Sequence, residues 1–222
     1  MTHINIVPKT HLYSYITLLS VAKKVLSPLS VLWMENNYHK KNTEIEEELL
    51  LIYRAQKNPR EFSIIYESYY EPIFRYINKK IEDYETTADI TSQVFIKCLD
   101  NLHKFEYKGV PFSAWIYRIA SNEVNQHFRK NKNNIRTVCI KSEHIDILLE
   151  EMEECDYEDK LEGMKTALSA LKHNELQLIE LRFFEGRAFK EIGYILGMNT
   201  NNAKIKTYRV IEKMKRLIFT KK

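Results

Sequence analysis

The chain has 222 residues, enough for one large or two small domains, and its 44% hydrophobic and 29% charged residues are ordinary for a folded, water-exposed protein. Five glycines and five prolines leave few interruptions to periodic segments, which favours an all-α fold. The net charge of +4 is unevenly spread, with ten Lys or Arg against Glu191 and Glu212 over residues 186–222 (+8) and ten Asp or Glu against Lys141 and Lys160 over 141–162 (−8), so a polyanion partner is expected at the carboxy-terminal end and a different role for the middle.

Residues 12–33 are apolar enough to raise a membrane span or a signal peptide. Lys23 and Lys24 sit in the middle, where a bilayer penalises charge heavily, and the uninterrupted run over 12–22 is short for a span. Residues 1–42 are therefore read as an amino-terminal extension outside the fold, with Met34 as an alternative start.

Helices are expected from Thr43 onward, where Thr43-Glu44-Ile45-Glu46 has capping-box spacing ahead of Leu49, Leu50, Ile52 and Tyr53. Asn58-Pro59-Arg60-Glu61 combines a capping Asn, a Pro at the first helical position and a Glu placed to bond back to the cap. The helix it opens carries Phe62, Ile65, Tyr66, Tyr69, Tyr70, Ile73, Phe74, Ile77 and Ile81 on one face. After a polar break at residues 82–85, Ile90, Val94, Phe95, Cys98, Leu99 and Leu102 mark a third helix. Gly109-Val110-Pro111 turns the chain into a fourth, with Trp115, Ile116, Ile119, Ala120, Val124 and Phe128 at helical spacing. Together these form a four-helix domain over 43–133, followed by an acidic flexible linker over 134–159.

Helical spacing returns at Leu161, Met164, Ala167, Leu168 and Leu171, and Asn174 with Gln177 is expected to cap the next helix, which Gly186 closes. Phe189, Ile192, Ile195 and Leu196 make a short helix ended by Gly197, and Asn199 or Thr200 caps a last helix bearing Tyr208, Ile211, Met214 and Leu217. This second small helical domain spans 160–222. The three cysteines, Cys98, Cys139 and Cys155, are odd in number and far apart, which favours a reducing cytoplasm and no metal. Cys98 falls on an apolar face as a core residue.

Residues 189–211 have helix-turn-helix form, a short helix, a Gly-centred turn and a longer helix whose first turns enter the major groove. That places Asn201, Asn202, Lys204, Ile205, Lys206 and Arg209 nearest to DNA, with the two Asn suited to adenine and the cations to guanine or phosphate. A second basic cluster, Lys104, Lys108, Arg118, Arg129, Lys130, Lys132 and Arg136, interleaves with Phe105, Tyr107, Phe112, Trp115 and Tyr117. Such a surface suits unstacked bases, although periodicity favours Phe112 and Trp115 as core. No phosphate loop, metal-ligand cluster or catalytic triad spacing is present, so an enzyme and a small-molecule substrate or cofactor are not expected.

Residues 89–97 (DITSQVFIK), 111–122 (PFSAWIYRIASN), 181–186 (LRFFEG) and 191–197 (EIGYILG) resemble the bacterial RNA polymerase sigma factors of the extracytoplasmic-function group. The resemblance implies a promoter-specificity subunit without a catalytic site, whose partners are promoter DNA, the largest and second-largest subunits of core polymerase, and an anti-sigma factor. It implies core binding by Asp89, Gln93 and Lys97, and minus-10 recognition by Lys108, Trp115, Arg118, Asn122, Gln126, Arg129 and Lys130 in a sigma region 2 domain. It further implies minus-35 recognition by Asn201, Asn202, Lys204, Lys206 and Arg209 in a sigma region 4 domain, and a linker running through the RNA channel. The chain departs from the family at Ala88, Ser92 and Gln93, which removes charge from the implied polymerase contact, and at Leu171-Lys172-His173 and residues 199–204, so the DNA sequence read is expected to differ from that of better-known relatives. The competing expectation is a regulator that binds operator DNA alone through the same helix-turn-helix.

Overall fold

The computed structural model describes residues 42–81, 83–130, 148 and 158–219. The fold is all-α, and no strand occurs among the described residues. The readings of residues 1–41, the cysteines Cys139 and Cys155, and all but a few positions of the 134–159 linker lie outside that range. Leu148, inside the expected linker, is fully buried.

Helix α1 (Asn42–Lys57) begins one residue before Thr43 and ends with Arg54 and Lys57 facing its negative dipole end. The Gln56 amide donates to the Leu102 and Phe105 carbonyls at 2.9 and 3.0 Å, tying α1 to the loop that precedes the fourth helix. Asn58 caps a short 3-10 turn (Pro59–Glu61) by accepting from Arg60 N at 3.3 Å, and Pro59 takes the first position as expected. Glu61 does not bond back to the Asn58 N–H; its carboxylate pairs with Arg54 at 2.8 Å, because the 3-10 turn swings it toward α1.

Helix α2 (Phe62–Ile81) buries Phe62, Ile65, Ile73, Tyr76 and Ile77, while Tyr66 stays 41% exposed with its ring edge on Phe95. The polar break before α3 (Tyr84–Asn101) is a helix cap: Asp83 accepts from Thr86 N at 2.7 Å, and the Thr86 bonds hold its carboxyl below the usual range. Cys98 is buried in α3, and burial pushes its thiol up, so it behaves as a small apolar core residue. Helix α4 (Phe112–Lys130) packs on α2 and α3 to complete the first group.

In the second group, α5 (Glu158–Ser169) and α6 (His173–Ile179) both pack on α8 (Thr200–Phe219), and α7 (Phe189–Leu196) packs on α8 as well. Helix α6 starts at His173, so Asn174 and Gln177 are not its cap. The Glu175 carboxylate instead accepts from Lys172 N at 2.7 Å, while Gln177 is buried and points at α4. A π-turn (Glu180–Phe184) continues α6, closed by Glu185 N to Glu180 O at 2.9 Å. Glu180, at its start, faces the first group, where it pairs with Lys80. The two groups pack against each other along α4 and α7, a contact that a reading of separate domains on a flexible linker does not contain.

Candidate nucleic-acid interface

The helix-turn-helix depends on how closely α7 approaches the turn after it. At Gly193 a Cβ would lie 2.7 Å from the Met198 carbonyl oxygen, and Met198 N donates to Gly193 O at 2.8 Å. Gly197 adopts φ 68°, the left-handed conformation that ends the helix. Of the two candidate caps, Asn199 is the one used, accepting from Asn202 N at 2.7 Å. Entry into α8 is thereby set in direction.

That direction sorts the α8 side chains. Ala203, Thr207, Val210, Ile211 and Met214 are buried, whereas Asn201, Asn202, Lys204, Ile205, Lys206, Tyr208 and Arg209 are exposed. The five residues expected to read the duplex therefore share one outward face. Lower on α8, Lys213 is held by Glu175 at 2.6 Å; burial of that carboxylate works against ionisation, but Lys213 and the Lys172 N–H outweigh it and hold its pKa down.

On α4, Arg118, Asn122, Arg129 and Lys130 are exposed and Gln126 is half-buried. Phe112 is fully buried, ringed by Tyr69, Phe105 and Trp115 at centroid distances of 5.1 to 5.5 Å, and so is core. Trp115 is half-buried in the same cluster, with part of its ring open. Lys108, on the preceding loop, pairs with Glu106 at 3.2 Å in full view of solvent. On α3, Asp89 and Gln93 are exposed beside Ser92 and Ile96, whereas Lys97 is turned onto α4 and pairs with Glu123 at 2.6 Å.

The structure brings one part of each basic surface together. Arg118 and Asn122 of α4 line the same cleft, about 510 Å³ in volume, as Lys206 and Arg209 of α8. The Arg118 guanidinium lies 5.2 Å from the Tyr194 ring centre on α7. Around the cleft a polar network crosses between the groups. Gln177 donates to Ser121 Oγ at 3.2 Å and Asn125 Oδ1 at 3.1 Å, and His173 meets the same Asn125 oxygen at 2.7 Å. Lys80 forms a buried ion pair with Glu180. Lys79 pairs with Glu185 at 2.8 Å, and the Tyr117 hydroxyl donates to the other oxygen of that carboxylate at 3.1 Å. Arg187 stacks 4.0 Å from the Tyr117 ring centre and donates to Ser113 Oγ at 2.9 Å.

Sequence reasoning did not find this network. Lys79 and Lys80 look like an ordinary basic helix end, and their partners lie about a hundred residues away. The available signal was Gln177 and Glu180 inside the otherwise apolar run from Leu176 to Phe184, since buried polar groups require partners. Among the described residues no group of three or more His, Cys, Asp or Glu could hold a metal ion, and no helix is long and apolar enough to cross a membrane.

The family model Sigma-70 region 2 matches residues 65–134, which contain most of α2 and all of α3 and α4. The ECF RNA polymerase sigma factor BldN of Streptomyces coelicolor is 28% identical over 174 residues, covering 76% of this chain; the match spans 64% of BldN's own length. The RNA polymerase sigma factor YlaC of Bacillus subtilis is 24% identical over 154 residues, 68% of this chain and 88% of the relative. Among solved structures, CnrH in complex with the cytosolic domain of CnrY superposes with a TM-score of 0.54 at 16% identity, covering 79% of this chain and 99% of that one, a similarity of fold.

Proposed function

We propose that this chain is a member of the extracytoplasmic-function group of the sigma-70 family, which binds core RNA polymerase and directs promoter-specific initiation by reading minus-10 and minus-35 elements. The observation that carries the proposal is the pairing, in one chain, of a helical group matching sigma-70 region 2 with a helix-turn-helix that turns Asn201, Asn202, Lys204, Lys206 and Arg209 outward.

In this reading residues 43–133 serve core binding and minus-10 recognition, 134–159 form the acidic linker, and 160–222 read minus-35. The exposed Asp89 and Gln93 face meets the polymerase, with Lys97 contributing after exchange of its Glu123 partner. Arg118, Asn122, Gln126, Arg129 and Lys130 meet the minus-10 strand, with Lys108 and the open part of Trp115 at its edge. Phosphate contacts from Lys204 and Lys206 position the duplex, while Asn201, Asn202 and Arg209 are placed to reach base edges. The protein acts in the cytoplasm, has no reaction of its own, and takes an anti-sigma protein as a further partner.

The test is in vitro transcription with purified core polymerase and a promoter library. Specific new start sites and co-elution with core are expected. Absence of both refutes the assignment, and a strong footprint on duplex DNA without polymerase identifies a stand-alone regulator instead.

A further inference from the structure

Resting on the proposed minus-35 role, we infer that Ile205 is a specificity-determining residue of α8, which selects thymine by packing against the C5-methyl group in the major groove. The rotation of the helix carries the inference. The bond from Met198 N to Gly193 O at 2.8 Å and the Asn199 cap fix where α8 starts, and the buried Ala203, Thr207, Val210, Ile211 and Met214 fix which side faces inward. The Thr207 hydroxyl closes that inner side by donating to the Ala203 carbonyl at 2.8 Å. At about 100° per residue the five buried side chains centre on one direction, and Ile205 lies about 180° from it. Asn201 and Arg209, one turn before and one turn after, flank it at about 40° on either side.

The side chain at the apex of the outward face is therefore a branched hydrocarbon, 41% exposed, among amides and cations. Tyr208, also exposed, is drawn aside toward α7, its ring centre 6.0 Å from that of Phe189. A lone apolar side chain on an ordinary surface needs no explanation. One that enters a groove first does, because it strips water from the base edge it meets. Most groups on the major-groove edges are hydrogen-bond donors or acceptors, and covering one with Ile leaves it unpaired. Among the four standard bases the thymine methyl is the apolar exception, and Ile205 packed on it removes hydrocarbon from water on both partners.

The neighbours set where that thymine lies. Asn201 to Arg209 is a rise of about 12 Å, roughly the height of three to four base pairs, with Ile205 at its middle. Lys204 and Lys206 project about 100° to either side of Ile205, toward the two phosphate walls of the groove, and hold it central. Lys206 and Arg209 also line the cleft against α4, whereas Asn201 and Ile205 do not.

The test removes the methyl group and nothing else. The full chain with core polymerase first selects its minus-35 sequence from a promoter library; each thymine of that element, on either strand, is then replaced in turn by deoxyuridine, which keeps every hydrogen-bonding group. At one position the replacement should lower specific start-site output at limiting enzyme by about three- to fivefold for the wild-type chain. Ile205→Ala should lose about as much on the thymine promoter and respond no further to deoxyuridine, while Ile205→Val should keep most of the discrimination; such non-additivity marks a direct contact. An element without thymine, the absence of any deoxyuridine-sensitive position, or a sensitivity that Ile205→Ala retains overturns the inference. Thermal melting checks that the variants fold, and should Ile205→Ala not fold, Ile205→Gln takes its place. If the chain recruits no core polymerase, the sigma reading fails by itself: duplexes selected from a random pool by the chain alone then carry the same replacement series, with the same outcomes deciding, and a chain that selects no duplex overturns the inference as well.

Discussion

Replacing Gly193 by Ala isolates what the helix-turn-helix requires of its backbone. In a helix interior Ala is favoured over Gly by about 1 kcal/mol, so secondary-structure preference alone predicts stabilisation. The tertiary geometry predicts the opposite. The new Cβ would stand 2.7 Å from Met198 O, 3.2 Å from the Asn199 carbonyl carbon and 3.3 Å from Thr200 N, all backbone atoms that no side-chain rotation can move aside. Relief requires displacing the turn, which weakens the 2.8 Å bond from Met198 N to Gly193 O and tilts the start of α8. Overpacking of this kind costs about 1–3 kcal/mol, and a weakened buried hydrogen bond adds about 1 kcal/mol, so the net loss should be about 1–3 kcal/mol. Gly197→Ala is the control: no atom lies within 4 Å of its Cβ, and only the φ of 68° is unfavourable, at about 1 kcal/mol. Urea unfolding of both variants measures the difference, and duplex binding should fall further for Gly193→Ala because the α8 face is re-aimed. A Gly193→Ala protein as stable as wild type would show that the close approach does not constrain the turn.

Four further outcomes are expected. Phe112→Ala should cost about 3–5 kcal/mol in urea unfolding, since the ring is fully buried among three aromatics; a loss below about 1 kcal/mol would return Phe112 to the set of candidate base-stacking residues. Asn199→Ala should cost about 1 kcal/mol by leaving the Asn202 N–H uncapped, whereas Thr200→Ala should be nearly silent; equal effects would contradict the assigned cap. Because the folded-state pKa of Glu175 is lowered, its contribution is complete above the ordinary carboxylate value of 4.5 and is lost as pH falls through the lower folded value. Glu175→Gln should therefore lower stability near neutrality by about 1 kcal/mol or less, with the gap to wild type closing in acid; a gap independent of pH would assign the loss to something other than charge. In the promoter-library assay, Asn202→Ala or Arg209→Ala should alter minus-35 preference and Asn122→Ala minus-10 preference, and unchanged profiles would remove those residues from the interface.

The helices themselves were legible because their determinants are local. Periodic apolar spacing, Asn58 with Pro59, and Gly197 with Asn199 each act within about one turn of chain, so reading neighbours suffices. The outward face of α8 followed from the same periodicity once the turn was placed. Where local signals competed, the reading slipped: Asn174 with Gln177 has cap chemistry, but Glu175 caps α6 from the position after Asn174, and Gln177 is claimed by Ser121 and Asn125 across the interface. Phe112 and Trp115 share a periodicity that cannot say which ring is enclosed; packing against Tyr69 and Phe105 buries the first and leaves the second half-open.

The sequence by itself therefore determined the all-α class, the placement of the helices, the helix-turn-helix and the two basic surfaces, because each depends on residues a few positions apart. Only the tertiary structure decided that Arg118 and Asn122 of one surface share a cleft with Lys206 and Arg209 of the other, and that Lys79, Lys80, Tyr117 and Ser113 find Glu185, Glu180 and Arg187. Those pairs are some seventy to a hundred residues apart, and burial of charge is favourable only where the partner has already been brought close by the packing of α4 on α7.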